Sequence, residues 1–283
     1  MVETEGYKAQ QDIEKVIYNN EDYFKAHQIT KADSITLKTS FDEISIYWDE
    51  ELRFRPKFCV ENDIAKMPIF FALLYGVDDN QYKYYRMIKK LNTKDTFVLA
   101  YDSNNKEKKL CSKYLGIKLK SILYSFGSCF SDCKLDINHV KSLKLYKYSY
   151  LNHILQDYFL EKLKYIIDNR VIKGTFDNKG IENIILAVVL DLPKVILKLY
   201  NNFDFTKKNP KLIYISNSND VMPIDEVILI VLCHYLGFDV LLFSPNGINL
   251  LGDYIDNEFI NYFHIGDNVE NLGIPKNYLN IRG

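Results

Sequence analysis

The sequence predicts an α/β or α+β protein that closes with an open parallel β-α-β unit. Three observations carry this reading. Only 12 Gly and 7 Pro occur in 283 residues, too few for the many turns of a sandwich or barrel. Two unalternating apolar runs, Leu212-Ile213-Tyr214-Ile215 and Val240-Leu241-Leu242-Phe243, suit strands covered on both faces. The segment between them, Pro223 to Leu236, has the length of one helix, so a right-handed crossover joining two parallel strands is the economical arrangement.

The elements follow in chain order. Ala9 to Lys25 is amphipathic. Ile44-Ser45-Ile46-Tyr47-Trp48 alternates as a strand does, and Pro68 to Tyr75 reads as a short apolar helix stopped by Gly76. Asn80 to Leu91 predicts a tyrosine-rich helix, and Phe97 to Tyr101 a buried strand. Leu151, Ile154, Leu155, Tyr158, Phe159, Leu163, Ile166 and Ile167 recur at helical spacing, which predicts a helix from Tyr148 to Asn169. A second stripe from Ile181 to Leu199 keeps phase through Pro193, whose missing donor and ring clash predict a break near Asp191. In the last third, Asp220 can cap the helix, Pro223 suits its first turn and Gly237 its left-handed stop. The chain thus divides into an α+β region (1–145), a helical hairpin (146–208) and a Rossmann-like α/β domain (209–283).

Composition excludes several function classes. Lys plus Arg number 36 against 37 Asp plus Glu, a net charge of −1, so no whole-chain charge draws nucleic acid or an anionic membrane. The longest apolar runs, Ile184 to Leu192 and Val227 to Cys233, fall short of the roughly 20 residues that span a bilayer. The acidic amino terminus is unlike a signal peptide. Five cysteines form an odd, sparse set, as expected of reduced thiols in the cytoplasm. Charge is nevertheless segregated: Ser103 to Tyr150 carries +7 and Asn217 to Gly283 carries −7. The two segments either dock on each other, or face partners, or reflect lysine as the default solvent residue.

In an open parallel sheet, ligands sit beyond the carboxyl ends of the strands. Those ends are Ser216-Asn217-Ser218-Asn219-Asp220 and Ser244-Pro245-Asn246-Gly247. Their hydroxyl, amide and carboxylate groups suit a ribose, a sugar or a phosphate bridged by Mg²⁺; such residues also serve as ordinary turns and caps. Asp225 and Glu226 in the first helical turn oppose a bare phosphate, so a cation would have to accompany it. Arg55, in Arg53-x-Arg55-Pro56, stands out because guanidinium grips carboxylate or phosphate bidentately; it serves an interdomain ion pair equally well. Cys129-x-x-x-Cys133 with Cys111 and His139 has zinc-ligand residue types, without a second tight pair. No Gly-rich phosphate loop, G-x-S-x-G elbow or H-E-x-x-H is present, which weighs against common dinucleotide, P-loop, hydrolase and zincin chemistry.

Several segments together resemble one family. They are Thr39 to Ile44 with Tyr47-Trp48, Arg55-Pro56, Met67 to Ala72 with Tyr75-Gly76-Val77, Phe203 to Tyr214, Leu236 to Val240 leading into Ser244-Pro245-Asn246-Gly247, and Ile265-Gly266-Asp267. The series is similar to the Bacillus-type YceG-like proteins, described as a component of a "biosynthetic module" and associated with tellurium-resistance (Ter) stress operons. Family members are longer, so the resemblance covers their carboxyl-terminal half. The last strand runs into Ser244-Pro245-Asn246-Gly247-Ile248, where the family tends to read threonine-proline-threonine-glycine-tyrosine. The resemblance implies a stress-response setting with other Ter-operon proteins as partners. The residues add an expectation of an anionic small-molecule ligand, a nucleotide or sugar derivative, contacted by Arg55, Asn217, Asp220, Ser244, Asn246 and Gly247. The competing expectation is a non-catalytic scaffold of the same system.

Overall fold

The computed structural model describes residues 29–101, 126–131, 134–173, 180–216, 222–252 and 254–273. The amphipathic stretch Ala9 to Lys25, most of the lysine-rich segment, Cys111, Cys133, Asn217 and Asp220 lie outside the described residues.

The centre of the fold is a five-stranded, wholly parallel sheet with strand order β10-β4-β9-β8-β5. Its strands are β4 (Phe71–Tyr75), β5 (Thr96–Tyr101), β8 (Lys211–Ser216), β9 (Asp239–Ser244) and β10 (Asn261–His264). A smaller sheet of order β1-β3-β2 combines β1 (Lys31–Thr36), β2 (Cys59–Glu61) and β3 (Ile64–Ile69), and β6 (Phe130–Ser131) pairs with β7 (Lys134–Leu135). The helices are α1 (Phe41–Tyr47), α2 (Gln81–Leu91), α3 (Ile137–Ser142), α4 (His153–Asp168), α5 (Ile181–Leu190), α6 (Lys194–Tyr200) and α7 (Ile224–Tyr235).

The α/β class and the β8-α7-β9 crossover are as the sequence predicts: β8 and β9 are parallel neighbours in register Ile213↔Leu241. Both strands are fully buried, for the reason their unbroken apolar runs suggest. Leu212, Tyr214, Val240 and Leu242 face a core shared with α4 to α7, while Ile213, Ile215, Leu241 and Phe243 face a second core with α1 and α2. The sheet joins β4 and β5, from the region 1–145, to β8, β9 and β10.

Two elements differ from expectation. Ile44 to Trp48 is helical, not a strand. The Ser40 N–H donates to Glu43 Oε2 at 2.7 Å, the capping-box contact that starts a helix three residues before its second turn. Ile44 and Trp48 are 3% and 1% exposed and Ile46 is 61% exposed, as i and i+4 on one helical face require. Pro68 to Tyr75 is extended, not helical, and passes from β3 into β4 with Phe70 as the corner. A short apolar run buried on both sides has no periodicity to separate helix from strand. Pro68 is tolerated because it lies beyond the last β2 partner, Lys66, so its missing N–H breaks no ladder there.

The hairpin helices form with modest shifts. Asn152 caps α4 by accepting the Ile154 N–H at 2.9 Å, so that helix starts after Tyr148. Pro193 separates α5 from α6 as predicted, and α4 and α5 both pack on α7.

Candidate functional site

The last residues of four neighbouring strands form one row at the carboxyl margin of the sheet. His264 is paired with Tyr75, Tyr75 with Ser244, and Ser216 follows Ile215, the partner of Phe243. Partners in a parallel ladder point to the same face, here the α7 side that Tyr214 and Leu242 also share. A polar row therefore caps an apolar sheet, with Ser216 and Ser244 buried within it, at the margin where open parallel sheets place their ligands.

The helix behind this row adds charge. Asp225 and Glu226, in the first turn of α7, are 1% and 2% exposed. The Tyr214 hydroxyl donates to Glu226 Oε2 at 2.5 Å, a charge-assisted contact. The Tyr254 hydroxyl donates to the Met222 carbonyl at 3.0 Å and holds the segment just before the helix. Among the described residues no group of three metal-binding side chains occurs. Asp225 and Glu226 are consecutive in the helix, so their side chains leave it in different directions, and Glu226 turns toward the Tyr214 hydroxyl.

Of the residues singled out in the sequence, Ser244, Asn246 and Gly247 come together in one turn. Ser244 Oγ lies 2.8 Å from the Ile248 carbonyl and 3.0 Å from Asn246 Oδ1, and the Gly247 N–H donates to the Ser244 carbonyl at 3.0 Å. Gly247 has φ +76°, a left-handed conformation that favours glycine, and a Cβ there would press on the Asn268 amide at 2.4 Å.

Part of the margin is covered by the chain itself. The segment from Ile265 to Val269 crosses the tips of β4 and β9: the Ile265 N–H donates to the Tyr75 carbonyl at 2.9 Å, Val77 to Asp267 at 2.8 Å and Val269 to Pro245 at 2.8 Å. Outgoing connections diverge between these two strands, since β4 leads to α2 on one face and β9 to the residues on the other.

Arg55 is not part of this margin. It donates through Nε to the Glu50 carbonyl, through Nη1 to the Pro68 carbonyl and Asp239 Oδ1, and through Nη2 to Asn209 Oδ1 and Asp239 Oδ2. Those contacts use all five of its N–H groups. Asp239 opens β9 and Ser244 closes it, so Arg55 sits at the opposite, amino margin of the sheet as an internal ion pair. Lys211 is buried beside it, over the Trp48 ring at 5.6 Å, and desolvation lowers its ammonium pKa. The thiol of Cys129 is buried and raised by desolvation.

The sequence reading missed Tyr75, His264 and the Tyr214–Glu226 contact. Tyr75 and Tyr262 stack at 5.9 Å and 9°, with burial pushing the Tyr75 hydroxyl up to about 12. Recognising Phe71 to Tyr75 as a strand would have placed Tyr75 at a strand end.

The model of the YceG domain family matches residues 38–274. The chain belongs to the YceG domain family. The matched range holds every strand of the central sheet and the whole carboxyl margin. A curated YceG relative is "Uncharacterized protein YceG" of Bacillus subtilis (strain 168), 21% identical over 262 residues that cover 90% of this chain and 47% of the relative. The chain thus spans about half the length of the YceG protein it matches. No solved structure matches it, and no helix among the described residues is long and apolar enough to cross a membrane.

Proposed function

We propose that this YceG-domain chain binds an anionic small molecule, a nucleotide or sugar derivative, at the carboxyl ends of β8 and β9, as part of a tellurium-resistance stress system. The observation that supports it is that Ser216 and Ser244 end adjacent parallel strands while the buried Asp225 and Glu226 open the helix that follows β8. Buried carboxylates favour sugar hydroxyls or a Mg²⁺-bridged phosphate over a bare phosphate. Asn217 and Asp220 follow β8 in sequence, and Asn246 and Gly247 follow β9. The long-run partners in this reading are other Ter-operon proteins, and its compartment is the cytoplasm.

The experiment is a thermal-melting titration with nucleotides and nucleotide sugars, with and without Mg²⁺. Saturable stabilisation that disappears in an Asn217→Ala, Asp220→Ala double variant is the expected result. The segregation of +7 and −7 segments supports a second reading, a non-catalytic scaffold. A flat titration combined with salt-sensitive co-purification of Ter proteins would favour that reading instead.

A further inference from the structure

A groove of about 610 Å³ opens between β1, β3, α4 and the end of α7, lined by Asp33, Ser34, Lys66, Lys162, Tyr165 and Tyr235 among others. It lies apart from the carboxyl margin, because α7 runs back along the sheet and Tyr235 ends it. At its centre Asp33 is held from two sides: Lys66 Nζ is 2.7 Å from one oxygen and Lys162 Nζ 2.7 Å from the other. Burial alone would raise the Asp33 carboxyl, yet the hydrogen bonds from Lys162 and Lys66 hold it below its ordinary value. It therefore stays an anion, and two ammonium groups share its one charge.

Glu61 favours the Lys66 charge from the solvent side, but among the described residues no second carboxylate hydrogen-bonds to Lys66 or Lys162. Lys164 pairs with Asp168 at 2.8 Å and donates to the Leu135 carbonyl, while Asp168 accepts the Leu135 N–H; both are engaged in tying β7 to α4. Glu161 is exposed on the rim, where solvent screens it. Lys162 is only 8% exposed and lies 5.1 Å over the Tyr158 ring. An ammonium so far removed from water is costly unless well paired, and half a carboxylate is incomplete pairing.

We infer that this groove binds the oxyanion head of a small ring-bearing acid, a carboxylate or phosphate monoester, bridged between Lys66 and Lys162 with its ring against Tyr165 and Tyr235. Each ammonium carries three donors, and Asp33 takes one from each, so an oxyanion placed across from Asp33 completes an alternating square of charge. The Tyr165 and Tyr235 rings, 5.5 Å apart and inclined at 37°, supply an apolar wall beside it. The volume is within the range of small-molecule sites.

Calorimetric titration of the full chain with phenyl phosphate, benzoate, inorganic phosphate and phenol tests this. The expected result is saturable binding of phenyl phosphate or benzoate, with the tighter of the two naming the head group. Inorganic phosphate should bind about tenfold more weakly, and phenol not measurably. Lys66→Gln, at the half-exposed rim, should weaken binding about tenfold or more while melting stays cooperative, and Lys66→Arg should restore part of it. Tyr165→Ala should weaken the ring-bearing acids and leave inorganic phosphate unchanged. Absence of saturable binding to the wild-type chain at about 10 mM ligand, or affinities unchanged in Lys66→Gln, would overturn the inference.

Discussion

Arg55 and Asp239, 184 residues apart in the chain, form a bidentate ion pair with both contacts at 2.7 Å and both side chains at 0% exposure. It ties the turn before β2 to the first residue of β9, and Asp239 Oδ1 also accepts the Phe70 N–H at 2.9 Å. Three segments therefore meet on one carboxylate. Removing one partner leaves the other charged and buried, so Arg55→Ala or Asp239→Ala should each cost about 3–5 kcal/mol. Replacing both, as Arg55→Met with Asp239→Leu, should cost less than the sum of the two single changes, because neither member of the pair is left facing an absent partner, although buried Lys211 and the Phe70 N–H still lose Asp239. Urea unfolding measures all three; a single-variant loss under about 1 kcal/mol would show that the pair behaves like a surface bridge.

Acid should destabilise the fold through His234. Its ring stacks on Phe71 at 4.3 Å, and desolvation by burial pushes its imidazole down to about 3. The unfolded chain takes up this proton near pH 6.5, and the native chain not until about pH 3. Unfolded protein thus binds more protons between those values. Stability is full above pH 6.5 and falls as pH drops through the window, at up to about 1.4 kcal/mol per pH unit from this residue. His234→Phe should flatten that slope in chemical denaturation curves recorded from pH 7 to pH 4, and an unchanged slope would contradict the assignment.

Two glycines fix how the chain crosses its own strand tips. A Cβ on Gly76, which has φ +76°, would lie 2.0 Å from the Gly266 carbonyl oxygen, and one on Gly266 would lie 1.9 Å from that of Val77. Backbone cannot yield as a side-chain end can. Gly266→Ala should cost about 1–3 kcal/mol and displace the segment from Ile265 to Val269. Gly127→Ala, where nothing lies within 4 Å, serves as the control and should melt like the wild type. Amide exchange at Val77 and Ile265, whose N–H groups close the crossing, should accelerate only in Gly266→Ala.

The sequence carried the parts of the fold whose signals are local. The β8-α7-β9 unit was legible because both strands are unbroken apolar runs and Pro223 and Gly237 bracket the helix. The break at Pro193 was legible for its steric reason. Ile44 to Trp48 was misread because three apolar residues at alternate positions also place the first and third on one helical face, and Ser40 with Glu43 was the stronger signal. The insertion of β4 between β10 and β9 was not legible, since parallel neighbours are joined by long connections that leave no mark on strand sequence. The same limit applies to the site. Ser244, Asn246 and Gly247 are adjacent in the chain and were found together, whereas Arg55 was assigned to an anion before its carboxylate partner, 184 residues away, was in view. Glu226 was noticed as charge at a helix start, but its burial against Tyr214 depends on the pairing of helix and strand.

That burial yields the most informative prediction about the carboxyl margin. A carboxylate at 2% exposure costs desolvation energy, and the Tyr214 hydroxyl at 2.5 Å offsets part of it. Tyr214→Phe removes one donor and should lose about 1–3 kcal/mol. Adding Glu226→Leu removes the buried charge too, so the double variant should recover stability relative to Tyr214→Phe alone. If the carboxylate serves a ligand, that recovered stability comes with lost function, the exchange expected where a site is held in an unfavourable state. The double variant should therefore melt above Tyr214→Phe yet show no stabilisation by a Mg²⁺-nucleotide that stabilises the wild type. A double variant that keeps the wild-type ligand response would remove Glu226 from the site and leave it a packing residue.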